Sequence, residues 1–240
     1  MEVSQNKPVE IEISSASVFY GKERILENLN LLIKEQRVGF IGRNGSGKTT
    51  LLRILAGLQE LHNGKVLIDG TEVAKKRNEA IRKVGIIFQN PDHQIIFPTV
   101  GEELRFGLTQ LGLSKNEADL KVIACLKQYD KVDWFERSIS TLSQGQKHLV
   151  CLLSILLMKP TVLLLDEPFT GIDIPTQRKL ERYLGSLKQT IIHVSHVPET
   201  FENYQRLIWM DEGVVKADGP PKTVTKKYKD AMNNYNEKNI

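Results

Sequence analysis

The run GRNGSGKT, residues 42 to 49, limits the possible folds of this chain more than any other stretch. A short apolar segment, RVGFI, leads into it, and a helix-like segment, KTTLLRILAGL, leads out, with Gly57 as its stop. A strand that turns through glycines into a helix N-terminus aims backbone N–H groups at one concavity, and the helix adds positive potential there. Such a concavity holds anions, and G-x-x-x-x-G-K-[ST] between strand and helix is the phosphate-binding loop. Gly42, Asn44, Gly45, Ser46 and Gly47 form the cradle, where a side chain at Gly47 would obstruct the phosphates. The Lys48 ammonium reaches the β- and γ-phosphates of a nucleoside triphosphate, and the Thr49 hydroxyl suits Mg²⁺. Thr50 adjoins the site, with helix packing as its plainer role.

A second segment complements the first. VLLLDE, residues 162 to 167, is an apolar strand that ends in two carboxylates. Open α/β sheets bind ligands at the C-terminal ends of their strands. Adjacent strand residues point to opposite faces, so Asp166 and Glu167 are expected to do different work. Asp166 would orient Mg²⁺, directly or through water, and Glu167 is placed to polarise an attacking water.

The 240 residues suffice for one domain, or one domain with an inserted subdomain. A net charge of +4 is too small to argue for nucleic acid as a partner. The cysteines, Cys125 and Cys151, match no metal spacing and read as reduced thiols. The polar opening MEVSQNKP is no signal segment. The longest apolar run, Leu149–Met158, is about half of what a bilayer span needs, so any membrane role requires a partner.

Strand-like segments at IEISSASVFYG, RVGFI, GKVLIDG, VGIIFQ, VLLLDE and TIIHVSH precede a hairpin, RLIWMDEGVVKADG. Helical patterns separate several of them, which predicts an α/β fold with a mostly parallel sheet. Between about residues 90 and 140 the pattern is helical without strands, an inserted helical subdomain. Residues 226–240 form a short polar tail that frays or forms a terminal helix.

One stretch remains unexplained. LSQGQ, Leu142 to Gln146, stands at the head of the apolar run LVCLLSILLM. The ordered set of Tyr20, GRNGSGKT, Gln89, LSQGQ, VLLLDE, Asp173 and His196 resembles the nucleotide-binding subunit of ABC transporters, over about residues 9 to 225. The resemblance implies a P-loop NTPase core with an N-terminal antiparallel β part and the inserted helices. It implies ATP and Mg²⁺ as ligands. Tyr20 would stack on adenine, although a tyrosine at a strand end is more often packing. Gln89 would contact Mg²⁺ and the lytic water and couple nucleotide state to the helical subdomain. His196 would bridge to the γ-phosphate, and Asp173, in TGID, would lie at the contact between two subunits. His193 reads as a structural group. Ser143, Gly145 and Gln146 would face the γ-phosphate held by a second ATPase subunit, a homodimer being the preferred pair. Here the sequence departs from the family, because Gln144 replaces the usual first glycine. Gln suits the first turn of a helix, so the change is expected to be tolerated.

The segment QNPDHQIIFPTVGEEL resembles the ATPases of energy-coupling factor (ECF) importers of vitamins or metal ions. That implies a transmembrane coupling protein and a substrate-binding membrane protein as partners, at the cytoplasmic face of a bacterial membrane. Asp92, Glu102 and Glu103 would meet partner arginines, or serve as helix N-terminal charges, and Phe106 would be an apolar anchor. The short tail is the pattern of the compact biotin or metal systems, with biotin preferred and cobalt next. A soluble ABC ATPase acting on DNA or ribosomes is the alternative. A kinase or GTPase would account for the phosphate loop but leaves LSQGQ and VLLLDE unexplained.

Overall fold

The computed structural model describes residues 9–169 and 172–238. The opening MEVSQNKP, the Thr170–Gly171 pair of TGID and the final residues 239–240 lie outside the described residues. The chain divides into two compact units. The first takes in residues up to Val84, Thr161–Asp166 and those from Lys188 onward, and the second Gly85–Pro160 and Glu167–Leu187.

In the first unit, β1 (Ile11–Tyr20) and β2 (Glu23–Ile33) form an antiparallel hairpin. After β3 (Arg37–Ile41) and α1 (Lys48–Leu55) come β4 (Asn63–Ile68), β5 (Thr71–Glu72) and α2 (Arg77–Lys83). The antiparallel sheet runs β2-β1-β4-β5. β2 is not evident from hydropathy. Its buried Leu26, Leu29, Leu31 and Ile33 lose strict alternation around Asn28, whose φ is +46°, and its register against β1 shifts at bulges. β6 (Val84–Ile87) starts on the last residue of this unit's first segment.

The second sheet of this unit contains β7 (Val162–Asp166), β8 (Thr190–Ser195), β9 (Arg206–Asp211) and β10 (Val214–Gly219). Its order is β10-β9-β3-β8-β7, with β3, β7, β8 and β9 parallel and β10 antiparallel to β9. The β9–β10 turn is Glu212-Gly213, both at positive φ, the backbone a tight hairpin requires. β3 sits mid-sheet with Val38, Phe40 and Ile41 fully buried, so both of its faces are covered, as a parallel strand demands. α7 (Pro221–Lys238) completes the unit. Its Val224 and Tyr228 pack with Ile41, Phe201 and Leu207, so residues read as a polar tail belong to a docked helix.

The second unit holds α3 (Val100–Gln110), α4 (Lys115–Gln128), α5 (Gln144–Leu157) and α6 (Ile174–Ser186). Val100, Leu104 and Leu108 of α3, Val122 and Leu126 of α4, and Val150 and Leu153 of α5 share one core with Trp134. Burying each aliphatic side chain contributes about 1.5–3 kcal/mol. Ser114 and Glu117 close a reciprocal capping box on α4.

Candidate nucleotide site

In the first unit β3 runs straight into the glycine loop. A Cβ on Gly42 would lie 2.1 Å from the Met210 carbonyl oxygen of β9, so close backbone approach excludes any side chain there. Gly47 has φ +96°, and a Cβ on it would meet the Ile25 carbonyl oxygen and Leu26 Cδ2 at 2.8 Å. Glycine at 47 is therefore required by β2 and a left-handed backbone, independently of any obstruction of the phosphates. Asn44 and Gly45 form the exposed tip of the loop, while Ser46 is buried. The Lys48 ammonium sits at the loop's centre, donating to the carbonyl oxygens of Gly42 at 2.8 Å and Arg43 at 2.7 Å, with Ser46 Oγ at 3.3 Å. Thr50 is buried, in keeping with a packing role.

The two halves of the motif pair meet. Thr49 Oγ1 donates to Asp166 Oδ1 at 3.3 Å, which joins the first turn of α1 to the end of β7. Neighbouring oxygens on an octahedral Mg²⁺ with 2.1 Å bonds lie about 3.0 Å apart, so this pair is nearly preset for adjacent ligand positions. Among the described residues no cluster of three or more His, Cys, Asp or Glu could hold a metal by itself. This donor set fits a hard cation that takes its remaining ligands from phosphate and water.

Tyr20 ends β1, about half of it exposed, with its hydroxyl donating to Gln59 Oε1 at 3.1 Å. His196 follows β8 and is exposed. His193, three residues earlier, is fully buried. Its Nδ1 lies 2.8 Å from the Tyr204 hydroxyl, and burial pushes its pKa down to about 3. The structural reading of His193 agrees with these contacts.

In the second unit Ser143 is the N-cap of α5. Its Oγ accepts the Gln146 N–H at 3.3 Å, and its own N–H donates to Gln146 Oε1 at 3.0 Å. The cap uses a hydroxyl lone pair and leaves the O–H able to donate to an anion. Gln146 is thus a capping residue, a role that its spacing from Ser143 could have announced. Gln144 is the first helical residue and is not at positive φ, so the backbone at this position does not require glycine. Gly145 is buried in the first turn. Asp173 is exposed, and its carbonyl accepts the Gln177 N–H at the head of α6. Glu167 directly follows β7 with φ +46°, and it precedes Pro168. That is a left-handed backbone on a non-glycine residue where proline favours extended chain, a strain of about 1–3 kcal/mol.

Gln89 has an exposed side chain, while its main chain is held by α5. His148 Nε2 lies 3.2 Å from the Gln89 carbonyl oxygen and Nδ1 3.1 Å from that of Gln144. Burial pushes the His148 pKa down, and the two carbonyl contacts oppose the shift. Lys147 pairs with Asp92 at 2.7 Å. Asp92 is therefore engaged within the chain. Glu103 is buried and accepts the N–H groups of Ile96 and Phe97, and Glu102 accepts the Thr99 hydroxyl. Both acids act locally at the start of α3, which favours the helix-terminal reading over partner contacts. Phe106 is partly exposed against Phe97. Lys147 and His148 went unread in the sequence because their partners lie more than fifty positions away.

The family model described as ABC transporter matches residues 26–170. BioM, a biotin transport ATP-binding protein of Rhodobacter capsulatus, is 43% identical over 92% of this chain and 95% of its own length. The chain belongs to the ABC transporter family. This ABC subunit binds and hydrolyses ATP. It is also similar to EcfA2, an energy-coupling factor transporter ATP-binding protein of Acetivibrio thermocellus, with 35% identity over 90% of this chain and 82% of that protein. The structure of cbiO1 from Clostridium perfringens, part of the ABC transporter complex cbiONQ, matches with a TM-score of 0.77 and 28% identity over 91% of each chain. A dimeric ATP-binding cassette in a post-hydrolysis state with ADP and Pi gives 0.78 and 25%, covering 88% of this chain and 98% of that one. The ABC fold, with its antiparallel N-terminal part and parallel core, is the one expected from the motifs.

Proposed function

We propose that this ABC ATPase powers an ECF-type importer and that biotin is the imported compound. The likeness to BioM over nearly the whole length of both chains supports the substrate, and the likeness to EcfA2 supports the transporter type. Among the described residues no helix is long and apolar enough to cross a membrane, so a transport role works through membrane-embedded partners. These would be a transmembrane coupling protein and a substrate-binding membrane protein, met at the cytoplasmic face.

The proposed chemistry needs two copies of the chain, each completing the other's site. The dimeric state of the similar ADP-bound cassette supports this arrangement. Gly42 to Lys48 bind the triphosphate, with Lys48 on the β- and γ-phosphates and Tyr20 under the base. Ser143 O–H and the first turn of α5 serve the γ-phosphate of the other copy. Thr49, Asp166 and Gln89 would hold Mg²⁺, which would spread the charge of the phosphates. Glu167 orients water for in-line attack, His196 supports the γ-phosphate, and Asp173 lies at the contact between copies. Catalysis then comes from positioning and charge neutralisation.

The observation that carries the ATPase half is the close Thr49–Asp166 pair beneath the glycine loop. Replacing Lys48 by Ala should abolish tight ATP binding, and undiminished binding would refute the cradle assignment. The transport half is tested in cells lacking this gene. Their uptake of labelled biotin should fall to background, and a loss of cobalt or nickel uptake instead would overturn the substrate. Membrane proteins should co-purify with the tagged chain.

A further inference from the structure

The loop that begins at Gln89 and the first turns of α5 are fastened together twice. His148 Nε2 reaches the Gln89 carbonyl at 3.2 Å, and Lys147 Nζ reaches Asp92 Oδ1 at 2.7 Å. The histidine strap is shielded, with His148 3% exposed, whereas the lysine strap pairs a mostly covered Lys147 side chain with an exposed Asp92. The loop is stiff in its own right. Asn90 Oδ1 accepts the Asp92 N–H, Gln94 Oε1 accepts the Phe88 N–H, and Pro91 is buried. The Gln144 carbonyl, the other neighbour of His148, already accepts a helical N–H within α5, so the bond that the ring alone supplies is the one to Gln89. The bonded carbonyl is that of Gln89 itself, and the helix so gripped presents Ser143 and Gly145 one turn earlier.

We propose that His148 is a positioning residue that couples the two ATP sites of a dimer, by locking the Gln89 loop of one site to the α5 cap that serves the other. This rests on the roles proposed above for Gln89 and Ser143. Movement of Gln89 on nucleotide binding is carried through the imidazole to the α5 N-terminus, so occupancy of one site sets the presentation of Ser143 to the second. Lys147–Asp92 keeps the loop from swinging about that single bond. Neither His148 nor Lys147 is asked to touch nucleotide.

The test uses the full chain, with ATP hydrolysis followed against ATP concentration. The wild type should show a Hill coefficient above 1. His148→Leu keeps the volume but removes the donor. It should bring the coefficient to about 1 and lower kcat about tenfold, while affinity for a fluorescent ATP analogue stays within about twofold. His148→Gln, which restores a donor, should recover most of both. In a Gln89→Ala background, His148→Leu should cost nothing further, because its effect passes through Gln89. If the two losses multiply, or if His148→Leu keeps wild-type kcat and cooperativity, the coupling role is overturned. If His148→Leu does not fold, Lys147→Ala carries the test, with a Hill coefficient reduced at unchanged analogue affinity as the supporting result and an unchanged coefficient as the refuting one. A wild type that hydrolyses ATP without cooperativity overturns the coupling alone. A wild type that does not hydrolyse ATP removes the functional reading beneath it.

Discussion

His193 and His196 stand three positions apart, yet β8 buries the first and leaves the second exposed. His193 is neutral in the folded protein, with a pKa of about 3 caused by burial. The unfolded chain takes up its proton below about pH 6.5, so between these values the unfolded state binds more protons and stability falls on acidification. His193→Gln, which cannot titrate, should lose about 1.4 kcal/mol less than wild type between pH 7.5 and 5.5 in urea unfolding. Equal losses would show that the ring is not the cause. Glu167 offers a second test at this scale. Glu167→Gln should retain ATP binding, slow phosphate release at least about a hundredfold, and accumulate an ATP-bound dimer in size-exclusion chromatography. Wild-type turnover would remove Glu167 from the role of water-orienting base. The phosphate loop and the two carboxylates were legible because their neighbours in sequence are also their neighbours in space. The packing reason for glycine at 47 was not, since it comes from Ile25 and Leu26 on another strand.

At the level of elements, the greasy helix α5 explains its own polar head. Its apolar face enters the core around Trp134, while Ser143 and Gln146 satisfy backbone groups that the first turn leaves unpaired. Ser143→Ala should lose about 1 kcal/mol of stability by chemical denaturation and lower the ATPase rate as well. Gln144→Gly, which restores the residue usual in the family, should not raise the rate and should cost up to about 1 kcal/mol, because position 144 is ordinary helix. A clear gain in rate would mean that the site needs glycine there. The buried strands β3, β7 and β8 were readable as unbroken apolar runs, and the β9–β10 hairpin from its Glu-Gly turn. β2 was hidden by bulges and α2 by its brevity. The paired lysine and histidine of α5 carry no local signal, because only the fold brings residues 89–92 to them.

At the level of the molecule, the C-terminal helix α7 is tied to the same strand that launches the phosphate loop. Tyr228 packs in the cluster with Ile41, the residue just before Gly42, and makes an edge contact with Trp209. Tyr228→Ala should cost about 2–4 kcal/mol and weaken ATP binding in parallel, whereas Tyr228→Phe should stay within about 0.5 kcal/mol. Full affinity in a destabilised Ala variant would show that the loop does not depend on this support. Position 167 runs the other way, since its backbone would be more comfortable under glycine or asparagine than under an acid. A library of this gene sorted only for soluble yield should drift toward those two residues there, whereas a library sorted for growth on the imported compound should hold glutamate. The difference between the two pools would measure how much folding comfort the chain gives up to keep its chemistry.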